Sequence, residues 1–252
     1  HTDSSAASDV YKRQVFLLMG EGGTGKSEVL KVLTTLLDEF RDDLTRLADG
    51  SPAQVAGPTT MMMAQTNAAA ANIGGDTIHS CLAFGEDLNY DIENLSRKDV
   101  SQEVRSRWND VHMMVIDEIS MVSPALLAAT SFRICQYRDG GVWKARVVDY
   151  TSRGETFGRV PIVILAGDFM QLPAFEGFQK VSLLGRVTQG DPHPPKPGDP
   201  DAVKKEKARL KRELYVSEGQ DMFRCAVTDV HNLRKTFRFK DEVLPRFLAY
   251  IR

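Results

Sequence analysis

The stretch that most constrains this chain is Val15-Phe16-Leu17-Leu18-Met19-Gly20-Glu21-Gly22-Gly23-Thr24-Gly25-Lys26-Ser27, an apolar run that breaks into a glycine-rich loop. Gly20 to Ser27 fits the pattern G-x-x-x-x-G-K-[ST]. Glycines at those positions let backbone N–H groups close around phosphate oxygens, and the N-terminus of the following helix adds its positive dipole end. The loop is read as a phosphate cradle made by Gly20, Gly22, Gly23, Thr24 and Gly25. Lys26 is expected to reach the β- and γ-phosphates and the Ser27 hydroxyl to hold Mg²⁺. The apolar residues before the loop predict a buried strand, and Leu30, Leu33, Leu37 and Phe40 recur after it at helical spacing. Without both flanks the same residues would be only a glycine turn.

Two further apolar runs end in polar residues. Val111-His112-Met113-Met114-Val115-Ile116 closes on Asp117-Glu118. Beside a phosphate loop, one acid at the carboxyl end of a parallel strand can hold Mg²⁺, while its neighbour orients an attacking water. On its own, the pair reads equally well as a solvated strand end. Val160 to Ala166 predicts a third buried strand and runs into Gly167-Asp168-Phe169-Met170-Gln171-Leu172-Pro173, where Gln171 is the natural γ-phosphate sensor. Taken alone, Gln171 is a loop residue making turn hydrogen bonds.

The net charge of −2 means that any nucleic-acid binding must come from local patches. Cys81, Cys135 and Cys225 lack the paired spacing of a zinc site or disulfide framework, which suits a reducing intracellular compartment. No apolar run approaches the roughly 20 residues needed to span a membrane. Residues 1–14 are polar and without apolar periodicity, and are set aside as a non-native leader.

Pro58 to His79 is expected to hold a methionine-rich strand, an alanine-rich helix and a glycine turn. His79 can be a satisfied core histidine or a contact to substrate. Residues 86–110 read as a helix-bearing connection, Pro124 to Tyr137 as a helix, and Trp143 as a packed hairpin residue or a base-stacking platform. Five prolines between Gln189 and Asp201 mark a linker or insertion. Lys204 to Arg212 is a basic helical run, either a solvated face or a track for a nucleic-acid backbone. Val227 to Leu233 predicts a strand, and a helix begins near Asp241.

With these stretches in order, the chain resembles the Pif (petite integration frequency) family of superfamily-one DNA helicases from about Val15 to Arg252. The match is carried by Gly20–Ser27, by Thr66-Asn67-Ala68-Ala69-Ala70 running into Asn72–Ser80, and by Ile116-Asp117-Glu118-Ile119-Ser120-Met121. Gly167–Pro173 and Phe237-Arg238-Phe239-Lys240-Asp241 complete it. Asn67 stands where the family usually has Gly, Gln65 where it often has Pro, and Phe239 where Gln is commoner beside the Arg.

The resemblance implies an α/β fold: a RecA-like P-loop NTPase domain with a mostly parallel sheet, then the start of a second RecA-like domain. The expected division is a leader (1–14), a motor domain (15–187), a Pro-rich then basic linker (188–212), and the end of the first domain with the start of the second (213–252). It implies ATP and Mg²⁺ as cofactors, and single-stranded DNA and duplex junctions as partners of a monomeric, 5′-to-3′ translocating helicase. By carry-over, Asp117 binds the metal, Glu118 acts on the attacking water and Gln171 senses the γ-phosphate. Arg238 is an arginine finger, and Thr66, Thr77 and His79 lie in DNA-contacting stretches. The nucleus or mitochondrion is the implied compartment in a eukaryote. A nucleotide kinase, a partitioning ATPase or a fragment that only binds nucleotide or DNA stands as the alternative.

Overall fold

The computed structural model describes residues 14–49, 60–84, 95, 101–138, 156–176, 179–185 and 201–235. The chain runs β1 (Gln14–Gly20), α1 (Lys26–Asp49), β2 (Thr60–Ala64), α2 (Asn67–Asn72), β3 (Asp76–Thr77) and α3 (Ile78–Cys81). Then come α4 (Gln102–Asn109), β4 (Met113–Asp117), α5 (Pro124–Arg138), β5 (Ile162–Gly167) and a small antiparallel pair, β6 (Ala174–Glu176) with β7 (Gln179–Val181). Helix α6 (Ala202–Ala226) and strand β8 (Asp229–Leu233) complete the described fold.

Six strands form one sheet in the order β3-β2-β4-β5-β1-β8, and every neighbouring pair is parallel. Parallel strands need helical crossovers, which cover both sheet faces and demand apolar residues on both sides of the strand. That is why the strands read as unbroken apolar runs, and β4 is buried at every position. Side chains alternate between two cores. Leu17, Ile116 and Leu165 face Trp108, Leu126 and Phe223 on one side. Leu18, Val115 and Ile164 face Leu30 of α1 and Ile73 on the other.

Helix α5 is buried from Pro124 to Tyr137, so it lacks the polar stripe of a surface helix. Its buried cation is held internally: Arg133 Nη1 donates to Leu95 O (2.9 Å) and Gln136 Oε1 (2.8 Å), and the guanidinium lies 5.6 Å from the Tyr137 ring centroid. Helix α6 crosses α5 where Gly219 meets Pro124, and a Cβ on residue 219 would lie 1.9 Å from Pro124 O. Since backbone cannot yield as a flexible side chain does, Gly219→Ala is expected to destabilise the fold by about 1–3 kcal/mol. Chemical denaturation would read this as a lower midpoint at unchanged slope.

The helix continues without a break through 212–213, so the boundary expected there cuts α6 rather than separating a linker from a domain. In its first half Arg209 pairs with Glu206 and Glu213 on the same helix. Strand β8 is shorter than the predicted Val227–Leu233 and exposed along most of its length. It joins the far side of β1, where Val15 N donates to Thr228 Oγ1 (3.0 Å) and Thr228 N to Val15 O (2.9 Å). Of the segment set aside as a leader, Gln14 opens β1. The rest of that segment, Trp143, most of the proline-rich stretch and the expected start of a second domain lie outside the described residues. No described helix is long and apolar enough to cross a membrane.

Candidate nucleotide site and adjoining cleft

Strand register brings three loops together. Met19 of β1 lies opposite Gly167 of β5, and Leu165 of β5 lies opposite Ile116 of β4. The loops after β1, β5 and β4 therefore emerge side by side at the carboxyl edge, about 4.8 Å apart per strand, where open α/β sheets bind ligands.

In the first loop, Gly23 (φ 85°) and Gly25 (φ 90°) hold left-handed backbone that other residues enter at a cost. Thr24 is buried and its hydroxyl donates to Glu21 O (2.8 Å), pinning the curve of the loop. Lys26 is 8% exposed, and its ammonium donates to Gly20 O (2.7 Å) and Glu21 O (3.2 Å). An ammonium has three N–H donors, so the loop positions Lys26 while leaving capacity for a phosphate oxygen. Ser27 follows in the first turn of α1.

Asp117 ends β4 at 5% exposure, and its Oδ1 accepts from Glu118 N (2.9 Å). Burial pushes its carboxyl above the usual range, against the pull of that hydrogen bond and of Lys26. Glu118 adopts left-handed backbone (φ 51°, ψ 46°), which costs a non-glycine residue about 1–2 kcal/mol. The next residues form a short 3-10 turn, with Met121 N donating to Glu118 O (2.9 Å). Gly167 at the end of β5 lies directly against this turn: a Cβ there would sit 2.9 Å from Ile119 N and 3.0 Å from Ile119 Cγ2. Burial, then repulsion by Asp117, raises the pKa of Glu118; Asp168 adds to the rise and Lys26 opposes it.

Since the turn that aims Glu118 rests on Gly167, a Gly167→Ala change is expected to displace the carboxylate. A misplacement near 1 Å can cost about 10²-fold in rate. Hydrolysis should fall by about that factor while nucleotide binding, which depends on the β1 loop, persists; equal loss of both would show that Gly167 does not act through Glu118.

The sequence reading passed over Asp168. It is buried, accepts from Met170 N at Oδ1 (3.0 Å) and from Gln171 Nε2 at Oδ2 (3.4 Å), while its carbonyl accepts from Gln171 N (3.0 Å). Gln171 is thus held by Asp168. The signal was present as an Asp two residues before the N–H it captures, the spacing of an Asx turn.

Thr66 and Thr77 are helix N-caps: Thr66 Oγ1 accepts from Ala69 N (3.2 Å) and Thr77 Oγ1 from Ser80 N (3.1 Å). Each hydroxyl retains a proton to donate. The ring of His79 meets Phe84 edge-on at 5.7 Å, and burial lowers its pKa. A cleft of about 600 Å³ joins the two regions, with Thr66, Ala69 and Asn72 on one wall and Glu118 and Gln171 on the other. Thr77 and His79 do not line it. Arg238 lies outside the described residues.

Hard oxygen donors from a buried carboxylate and a hydroxyl suit Mg²⁺, which takes one or two protein ligands and the oxygens of substrate phosphates. Asp117 and Ser27 fit that requirement.

A glycine loop between β1 and α1, with carboxylates closing the adjacent strands of a parallel sheet, defines a phosphate-loop nucleotide-binding protein. The chain belongs to the PIF1-like helicase family, whose model matches residues 4–183. It is 31% identical over 165 residues to the ATP-dependent DNA helicase PIF1 of Emericella nidulans, covering 65% of this chain and 18% of that protein. The human helicase of the same name is also 31% identical over 165 residues, with 65% and 20% covered. The chain therefore spans about a fifth of the length of these curated relatives.

The fold matches the crystal structure of Pif1 helicase from Candida albicans, with TM-score 0.58 and 23% identity over 95% of this chain and 40% of that one. It also matches Pif1 helicase from Bacteroides in complex with ADP-AlF3 and ssDNA, with TM-score 0.57 and 22% identity over 98% and 44%. The expected α/β, RecA-like architecture agrees with these structures.

Proposed function

We propose that the chain is the ATP-binding motor portion of a DNA helicase, coupling ATP hydrolysis to 5′-to-3′ movement on single-stranded DNA and to duplex opening. The observation that carries the reading is the meeting of Lys26, Asp117, Glu118 and Gln171 at one sheet edge, beside a cleft that also contains Thr66. Named relatives are ATP-dependent DNA helicases, and a solved structural neighbour holds ADP-AlF3 and ssDNA.

Lys26 holds the β/γ-phosphates and draws negative charge toward the loop. Asp117 and Ser27 would hold Mg²⁺, which when bound neutralises charge on the β- and γ-phosphate oxygens. Glu118 orients the attacking water and accepts hydrogen bonds from it. Gln171 meets the γ-phosphate, and Arg238 is assigned as the finger that completes the cleft from the second motor domain. Separating a base-pair step costs on average about 1.4 kcal/mol, so sustained opening requires such a source of energy.

Thr66, Thr77 and His79 belong to the DNA-facing side in this reading, and duplex junctions are the substrate of a monomeric enzyme. Roles in DNA repair, recombination and telomere maintenance follow from that activity. Cys81, Cys135 and Cys225, none of them in a disulfide, support an intracellular site, the nucleus or mitochondrion in a eukaryote.

The test is ATP hydrolysis by the chain with and without single-stranded DNA, with Lys26→Ala as control. Stimulation by DNA that the control lacks is the expected result. Hydrolysis indifferent to DNA would instead favour a phosphate-loop NTPase of another class.

A further inference from the structure

We propose that Gln65 and Ser120 are positioning residues for the hydrolysis: a hydrogen bond between their side chains closes when a strand engages α2, and it fixes the turn that aims Glu118. The proposal rests on the DNA-motor reading above and assigns the residues that carry strand binding to the nucleotide site.

Two buried polar atoms at the carboxyl edge of the sheet lack partners. Ser120 is 5% exposed and its Oγ makes no hydrogen bond, while Gln65 Oε1 is also shut off from solvent and accepts none. Folded proteins pair nearly all such atoms, because a polar group taken out of water without a partner is costly. Alanine at position 120 or methionine at position 65 would avoid that cost. The two atoms are complementary, a hydroxyl able to donate and a carbonyl oxygen able to accept.

Their places in the sheet bring them to facing sides of one cleft. Ala64 of β2 lies opposite Asp117 of β4, so Gln65 and the turn that starts at Glu118 leave neighbouring strands at the same level, about 4.8 Å apart. Thr66, next after Gln65, lines one wall of the cleft, and Glu118 and Met121, which bracket Ser120, line the other. Gln65 and Ser120 do not line the opening themselves. Each stands behind a wall.

The pairing gives the turn a brace it can use. Glu118 holds left-handed backbone (φ 51°), which a non-glycine residue keeps only where its surroundings enforce it. From β5 the turn is backed by Gly167, whose Cα lies close against Ile119. A bond from Ser120 to Gln65 adds the matching support from β2. Thr66 is a DNA-side residue in this reading and Gln65 is its covalent neighbour, so a strand drawing on the start of α2 moves the acceptor toward the hydroxyl. Proline, frequent in the family at position 65, has no such acceptor, which makes the pairing a property of this chain.

The experiment measures steady-state ATP hydrolysis by the full chain with and without oligothymidylate. It compares Gln65→Met, Ser120→Ala and the double variant with the unaltered chain, and records the thermal melting of each without ligands. Stimulation by DNA is expected to fall about 5-fold in each single variant, the effect of one neutral hydrogen bond. The loss should lie in kcat, with KM for ATP unchanged. The double variant should also lose about 5-fold, rather than the roughly 25-fold of two independent changes. All three should melt at or above the temperature of the unaltered chain, since each replaces an unpaired buried polar atom with an apolar one.

Undiminished stimulation in either single variant, or losses that multiply in the double one, would overturn the pairing while leaving a DNA-stimulated motor. A clear drop in melting temperature would overturn it too, by showing that the two groups already have partners in the free chain. Hydrolysis by the unaltered chain that is indifferent to the oligonucleotide would remove the DNA-motor reading and the pairing with it.

Discussion

Glu118→Gln is expected to bind ATP as the unaltered chain does and to hydrolyse it about 10²- to 10⁴-fold more slowly. The amide keeps the size and position of the carboxylate in the strained turn after β4, so the loop that holds the phosphates is untouched. What disappears is the charge that attracts the water's proton. Single-turnover hydrolysis beside a nucleotide-binding titration separates the two effects, and an unchanged rate would remove Glu118 from the reaction.

The pH dependence has a defined sign. Burial and the neighbouring Asp117 and Asp168 raise the pKa of Glu118. The ionised form is the active one, so the acid limb of the rate profile should lie above the ordinary carboxylate range and be absent from Glu118→Gln. Stability moves the other way. A carboxyl whose pKa is higher folded than unfolded binds more protons in the native state, so its contribution falls as pH rises from the unfolded pKa through the folded one. At neutral pH the amide avoids that penalty, and the inactive variant should melt at a higher temperature than the active chain.

Lys26→Ala is expected to lower hydrolysis by about 10²- to 10³-fold or more, the effect of removing one charge-stabilising donor from a preorganised site. Unlike the change at Glu118, it should weaken nucleotide binding as well, because the ammonium meets phosphates in the ground state. It also removes the ammonium bond to Gly20 O, while Glu21 O keeps the Thr24 hydroxyl. Lys26→Arg should not rescue activity. A planar guanidinium cannot take the place of a compact ammonium held by two carbonyls 2.7 and 3.2 Å away. Full activity in Lys26→Arg would show that the charge alone suffices.

The parts of the site visible in the sequence are those where a backbone requirement leaves a residue signature. Gly23 and Gly25 mark left-handed backbone, and strands buried on both faces stand out as apolar runs, so the ends of β1, β4 and β5 were legible. The contacts between loops were not. Nothing local announces that Gly167 must be small because Ile119 lies against it, or that Gly219 yields to Pro124. Those constraints exist only after the strands and helices have packed. Thr66 and Thr77 show the reverse limit: motif resemblance marked them for DNA, while the N-cap role of each hydroxyl is visible in its hydrogen bond to a backbone N–H three residues on.

The place of β1 in the sheet also orders events in time. Its two neighbours are β5 and β8, and the bond from Val15 to Thr228 closes a separation of 213 residues. Pairings so distant in sequence form slowly, because the loop must close before the contact repays it. The strand bearing the phosphate loop is thus made well before β8 and gains its second neighbour only after it. Until β8 is synthesised, one edge of an apolar strand stays open to other chains, which makes this region the point at which a nascent molecule is most exposed to aggregation.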